Sequence, residues 1–169
     1  MNRQRLHRQL HYLRLLFTWI LISYLPLLPA LFVSYPRQWY DALAKPPGVP
    51  PGWMFSVVWL SLYTLLGIAS YLVWSRGLVS GFRREAIVFF LAQLFFNALF
   101  SPVFFGLQSL TGGVIVLVIL LVLTSITGFY FWIISKQAGL IIILYLSWLC
   151  YAFYLNLSIW LLNTPPIFS

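Results

Sequence analysis

Apolar runs of about 20 residues, almost free of charge, recur five times along this chain. That repetition limits what the chain can fold into. At about 1.5 Å of rise per residue, a helix of that length crosses a hydrocarbon core about 30 Å thick. Lipid offers no water to the backbone, so a spanning segment must satisfy its own N–H and C=O groups, as a helix does. The runs lie roughly at Leu15–Val33, Met54–Trp74, Ala86–Gly106, Val114–Ile134 and Leu140–Leu162. The expected fold is an all-α integral membrane protein, a five-transmembrane-helix bundle. Residues 15–163 form its one domain, preceded by a basic amphipathic segment at 1–14 and followed by a tail at 164–169. Pro26 and Pro29 place a kink in the first span.

Charge sharpens this picture. Only 7% of the 169 residues are charged, too few to cover a water-facing surface. The formal net charge of +8 is not gathered into an aromatic-laced basic patch, so nucleic acid is not an expected partner. The basic residues flank the spans instead. Arg3, Arg5, Arg8, Arg14, Arg76, Arg83, Arg84 and Lys136 fall on one side, and Arg37 and Lys45 on the other. In a bacterial cell membrane this bias puts the N-terminus in the cytoplasm and the C-terminus outside. Leu6, Leu10 and Leu13 give residues 2–14 an apolar stripe suited to the membrane surface. The first run is long and broken by proline, with no small-x-small site after it, and reads as a retained span rather than a cleaved signal.

No Asp, Glu, Lys, Arg or His occurs in the four later spans. That argues against ion-coupled pumps, which need ionisable groups at membrane depth. It also leaves no base to activate a nucleophile within the bundle. His7 and His11 stand at i, i+4, but two ligands on an exposed segment do not make a metal site. Cys150 is the single cysteine, so no intrachain disulfide can form.

The spans carry aromatic rings and a few amides. Gln93, Asn97, Phe100 and Phe104 share one helix face, as do Phe55, Trp59, Tyr63 and Leu66. Trp148, Ala152 and Leu155 form a third stripe with Asn156 nearby. Amides are costly against lipid, so these faces are expected to converge inside the bundle around a ligand pocket. For Asn97 and Asn156, a bond to each other or to a backbone carbonyl is the alternative. Trp19, Trp74 and Trp132 near span ends read as interfacial belt residues. The loop Ser34–Gly52 holds five prolines and two glycines. It is expected to be an ordered cap between helices 1 and 2.

The same residues form a longer pattern. Trp39-Tyr40-x-x-Leu43-x-Lys45-Pro46 is followed by Pro50-Pro51-x-Trp53-x-Phe55-x-x-x-Trp59-x-x-Leu62-Tyr63-x-x-x-Gly67. Gln93-x-x-x-Asn97-x-x-Phe100-Ser101-Pro102-x-Phe104-Phe105-Gly106 comes next. Ala138-Gly139 and Tyr145-Leu146-x-Trp148-x-x-x-Ala152-x-x-Leu155-Asn156-x-x-Ile159-Trp160-x-x-Asn163 complete it. From Trp39 to Asn163 the chain resembles the TspO/translocator-protein family, the tryptophan-rich sensory proteins and peripheral-type benzodiazepine receptors. The resemblance implies a homodimeric five-helix bundle that binds porphyrins, haem or related tetrapyrroles, and in some members sterols or aromatic drugs. It implies no required cofactor; the tetrapyrrole is the ligand. Matching positions name Trp39, Trp53, Trp59, Tyr63, Asn97, Phe100, Phe104, Trp148, Ala152 and Leu155 as ligand contacts.

The chain departs from the family pattern at Gly48 and Phe100, where an aromatic and a Trp are usual. It departs also at Val57-Val58, in place of Gly-Pro, and at Val116, in place of an acidic residue. Losing two indoles weighs against photochemical porphyrin breakdown, although phenyl rings can still stack. Three readings stand at this point: a tetrapyrrole receptor acting in sensing, transport or sequestration; a light-dependent porphyrin-degrading enzyme; and a ligand-free membrane scaffold.

Overall fold

The computed structural model describes residues 3–76 and 81–164, so the tail expected at 164–169 lies outside them beyond Thr164. Among the described residues the secondary structure is entirely helical. The helices are α1 (Arg3–Ser23), α2 (Leu27–Leu31), α3 (Arg37–Ala42), α4 (Gly52–Arg76), α5 (Arg83–Ser101), α6 (Leu110–Ile134) and α7 (Lys136–Asn163), with a π-helical turn at Pro102–Gly106 after α5. Four of these segments are long and apolar enough to cross a membrane: α4, α5 with its π turn, α6 and α7. At 24 to 28 residues they measure roughly 36 to 42 Å. The chain is an integral membrane protein.

The first expected span takes a different form. No helix break falls at Arg14: α1 runs from Arg3 to Ser23, so the basic segment and the first apolar turns share one helix. It stops where Tyr24–Pro26 form a turn, and α2 resumes for one and a half turns. Pro26 and Pro29 cannot donate to the helical ladder, which places the break there. α1 lies antiparallel along α4. The Tyr24 hydroxyl donates to Leu60 O at 2.9 Å and lies 2.7 Å from Thr64 Oγ1. Further along, Ile20 seats on Gly67, where an added Cβ would come within 2.5 Å of Ile20 Cα. Trp19 meets Trp74 and Phe90 at 5.4 and 6.2 Å. Trp19 is therefore buried rather than placed in an interfacial belt, because helix α1 turns that face onto α4.

Small residues set the remaining contacts, as expected where lipid supplies no drive for helices to associate and close packing must. Gly139 leaves room for Trp132, and Gly128 for Ile142, so α6 and α7 pack closely on either side of Ser135. Ser135 caps α7 through the Ala138 N–H and accepts 2.9 Å from Arg76 Nη1, while Arg76 Nη2 donates to Gln137 Oε1 at 3.0 Å. That end of the bundle is filled by Val73, Ala86, Phe90, Phe131 and Ala138, all fully buried. At the other end, α4, α5, α6 and α7 diverge around a cavity.

Candidate ligand cavity

Pro102 explains the shape of one cavity wall. Without an N–H, proline opens the helical ladder, and Leu107 N bonds back to Pro102 O at 2.9 Å in a π turn. The wider turn brings residues five apart onto one side. Phe100, Phe104 and Phe105 all face the cavity as a result. Phe100 and Phe104 stack at 5.4 Å with 9° between planes, and Phe105 stands at 90° to Phe104, 4.8 Å away.

Another wall is α4, which brings Phe55, Trp59 and Tyr63 to the cavity; Trp59 and Tyr63 lie 5.5 Å apart at 31°. Leu117 and Leu120 of α6 and Ala152, Leu155 and Asn156 of α7 close the remaining sides. The enclosed volume is about 1010 Å³, at the upper end of the range for small-molecule sites.

A hydrogen-bonded floor lies under this space. The Tyr63 hydroxyl donates to Asn97 Oδ1 at 2.8 Å, and Asn97 Nδ2 donates to the Tyr145 hydroxyl at 2.6 Å. Asn97 thus ties α4, α5 and α7 together through two tyrosines, rather than through Asn156 or a backbone carbonyl. Asn156 is also buried, beside Gly113, with Oδ1 unpartnered. All three amides expected to face inward, Gln93, Asn97 and Asn156, are buried.

The loop after α2 forms the roof. Asn163 holds Ala44 at both ends of its peptide unit: Ala44 N donates to Oδ1 and Nδ2 donates to Ala44 O, each at 2.9 Å. The Tyr151 hydroxyl donates to Gly48 O at 2.7 Å. Gly48 has φ of 91°, a conformation glycine tolerates and side chains resist. The departure from an aromatic at this position therefore has a backbone reason. Lys45 Nζ donates to Asp41 O and Leu43 O and sits 4.7 Å over the Tyr40 ring. Tyr35 and Tyr40 brace the roof against Phe105 at 5.4 and 5.9 Å. Burial raises both phenols above their usual pKa of 10.0; Asp41 adds to the effect in each, and Arg37 opposes it at Tyr35.

Of the ten residues named from the sequence, Trp59, Tyr63, Asn97, Phe100, Phe104, Ala152 and Leu155 line the cavity. The other three do not. Trp39 packs edge-on against Phe104 at 5.6 Å, one layer behind the wall. Trp53 is 66% exposed. Trp148 meets Phe55 edge-on at 5.7 Å and lines a groove on the outer side of α4 and α7. It stands one turn before Ala152 on the same α7 stripe, and its ring turns to Phe55 and this groove instead of the cavity. Phe55 and Asn156 were identifiable from their stripes, but Phe105 needed the π turn, and Leu117 and Leu120 carry no signal among their apolar neighbours.

A family model described as the TspO/MBR family matches residues 17–161. Protein CrtK of Rhodobacter capsulatus is 38% identical over 128 residues, which cover 76% of this chain and 80% of that protein. The tryptophan-rich protein TspO of Archaeoglobus fulgidus is 38% identical over 127 residues, 75% of this chain and 81% of the relative. The translocator protein of Homo sapiens is 32% identical over 126 residues, 73% of each chain.

Proposed function

The chain belongs to the TspO/MBR family, and we propose that its cavity binds a flat, largely apolar ligand of the porphyrin or haem type, in tetrapyrrole sensing, transport or sequestration. The observation that carries this reading is a cavity of about 1010 Å³ lined by two aromatic pairs, the stacked Phe100–Phe104 from α5 and its π turn and Trp59–Tyr63 from α4. Aromatic side chains are suited to stacking on a planar guest, and desolvating such a guest against them is favourable at about 25 cal/mol per Å² of apolar surface. Few polar groups interrupt the walls, and Asn97 is already engaged by two tyrosines. Shape and stacking therefore do most of the recognition.

In this reading the protein crosses the membrane five times as a homodimer, with the N-terminus cytoplasmic and the C-terminus outside. Support for the fifth crossing comes from α1 and the turn after it, which pack along α4 from Trp74 to Leu60. Support for the orientation comes from Arg14, Arg76, Arg83, Arg84 and Lys136, which flank the densely packed end. The dimer is what the family resemblance implies.

Titrating the purified protein with protoporphyrin in the dark, followed by the porphyrin absorption band and by tryptophan fluorescence, tests the site. Saturable binding is expected. Trp59→Ala and Phe104→Ala should each weaken it about tenfold or more, since a buried ring contributes roughly 1.5–3 kcal/mol. Trp148→Ala, outside the lining, should change affinity far less. Failure to saturate, or affinity unchanged in both wall variants, would overturn the reading. Loss of the band on illumination, beyond a protein-free control, would add chemistry to binding.

A further inference from the structure

The cavity is neutral throughout its depth and charged only at its rim. Arg37 and Asp41 are the two charged residues among those that line it. Both belong to α3, four positions apart, and so project from the same face of that short helix. The order is cation before anion, the weaker arrangement for pairing along a helix, and among the described residues neither side chain has an ion-pair partner. The other cation of this loop is occupied elsewhere. Lys45 Nζ is spent on the carbonyls of Asp41 and Leu43 and on the face of Tyr40. Tyr35 and Tyr40, neutral phenols whose pKa burial raises further above 10.0, add no charge. A single guanidinium is thus left at the mouth of an aromatic slot.

We propose that Arg37 receives an anionic substituent of the bound ring, a carboxylate, at the cavity rim, while the apolar body of the ligand lies between the aromatic walls. The proposal rests on the reading of the cavity as a site for a tetrapyrrole-type ligand, and it names which edge of that ligand faces out. A planar guanidinium with paired N–H donors matches a carboxylate in two parallel hydrogen bonds. Asp41, one turn away, works in the opposite sense. It repels a second carboxylate placed on its side, so the two residues together prefer one orientation of an asymmetric acid-bearing ring. A guest with no charge would feel neither.

The test compares dicarboxylic protoporphyrin with its dimethyl ester, titrated in the dark into the full-length protein in an uncharged detergent. Arg37→Gln should weaken the acid about fivefold to tenfold, between the worth of an exposed ion pair and that of a hydrogen bond to a charged group. Affinity for the ester should stay within about twofold. Arg37→Lys should recover part of the loss, and Asp41→Asn should tighten the acid a few fold without affecting the ester. Added salt should weaken the acid in the unaltered protein and much less in Arg37→Gln. If Arg37→Gln changes acid and ester equally, or changes neither, the rim assignment is wrong while the cavity reading stands. If neither porphyrin binds the unaltered protein, both fall.

Discussion

The two ends of this bundle are built from the same long helices and solve opposite problems. At the end bounded by Arg76 and Ser135, glycines and alanines let large side chains sink into neighbouring helices. Ile20 rests on Gly67, Trp132 on Gly139, and Phe90 and Phe131 meet at 5.7 Å between Ala86 and Ala138. At the end under the loop, rings of comparable size border an open space of about 1010 Å³: Phe100 and Phe104 from α5 and its π turn, Trp59 and Tyr63 from α4. Aromatic content alone therefore does not make a site. What differs is how fully the rings are received: Phe104 rests on Gly113 of α6, while Phe100 and Trp59 border the open space.

The most severe way to break this contrast is to remove a small residue from the closed end. In Gly67→Val the added Cβ would meet backbone atoms of Ile20 at 2.5 and 2.9 Å, and backbone cannot swing aside. A loss of about 3 kcal/mol is expected, at the upper range for overpacking, read as a fall of several degrees in thermal unfolding in detergent. Gly52→Ala makes the opposite comparison. Nothing lies within 4 Å of its added Cβ at the cavity end of α4, so the melting temperature should be unchanged. Equal losses in the two variants would mean that the two ends do not differ in packing as described.

How much of this was legible beforehand follows the same division. The spans could be read because charge and long apolar runs mark them; Met54–Trp74 became α4 at Gly52–Arg76, and Val114–Ile134 became α6 at Leu110–Ile134. Residues with a polar reason to face inward were also legible: Gln93, Asn97 and Asn156 are all buried. Rotation of the purely apolar faces was not. In lipid an outward Leu and an inward Leu are equally comfortable, so α6 lacks the one-sided pattern that orients a helix in water, and Leu117 and Leu120 carried no signal. Trp148, on the same α7 stripe as Ala152 and Leu155, borders the outer groove, which its spacing does not reveal. The π turn at Pro102–Gly106 that brings Phe105 onto the wall depends on backbone geometry that no spacing rule contains.

A smaller effect is expected at the floor where the two regions join. Asn97→Leu leaves the hydroxyls of Tyr63 and Tyr145 without their partner. Stranding buried hydroxyls should cost about 2 kcal/mol, and it should also weaken porphyrin binding, because Tyr63 braces Trp59. Adding Tyr63→Phe and Tyr145→Phe to the same chain should restore most of the stability, since removing all partners of a buried network is far cheaper than removing one. If the triple variant is no more stable than Asn97→Leu, the floor owes its stability to packing rather than to these bonds.

The smallest effect is predicted one turn below that floor, and it tests how dry the closed end is. Gln93 is fully buried, and neither Oε1 nor Nε2 has a hydrogen-bond partner; Thr124 Oγ1 is buried and unpartnered as well. An amide desolvated without compensation is a net cost, so Gln93→Leu removes that cost at similar volume and breaks no bond. The melting temperature should hold or rise, by the equivalent of about 1 kcal/mol. A clear fall would give the opposite answer: water would be pairing with Gln93, as it does with most buried polar groups that lack a protein partner. The hollow region would then extend below Asn97, and the boundary between the two ends would sit a full turn deeper.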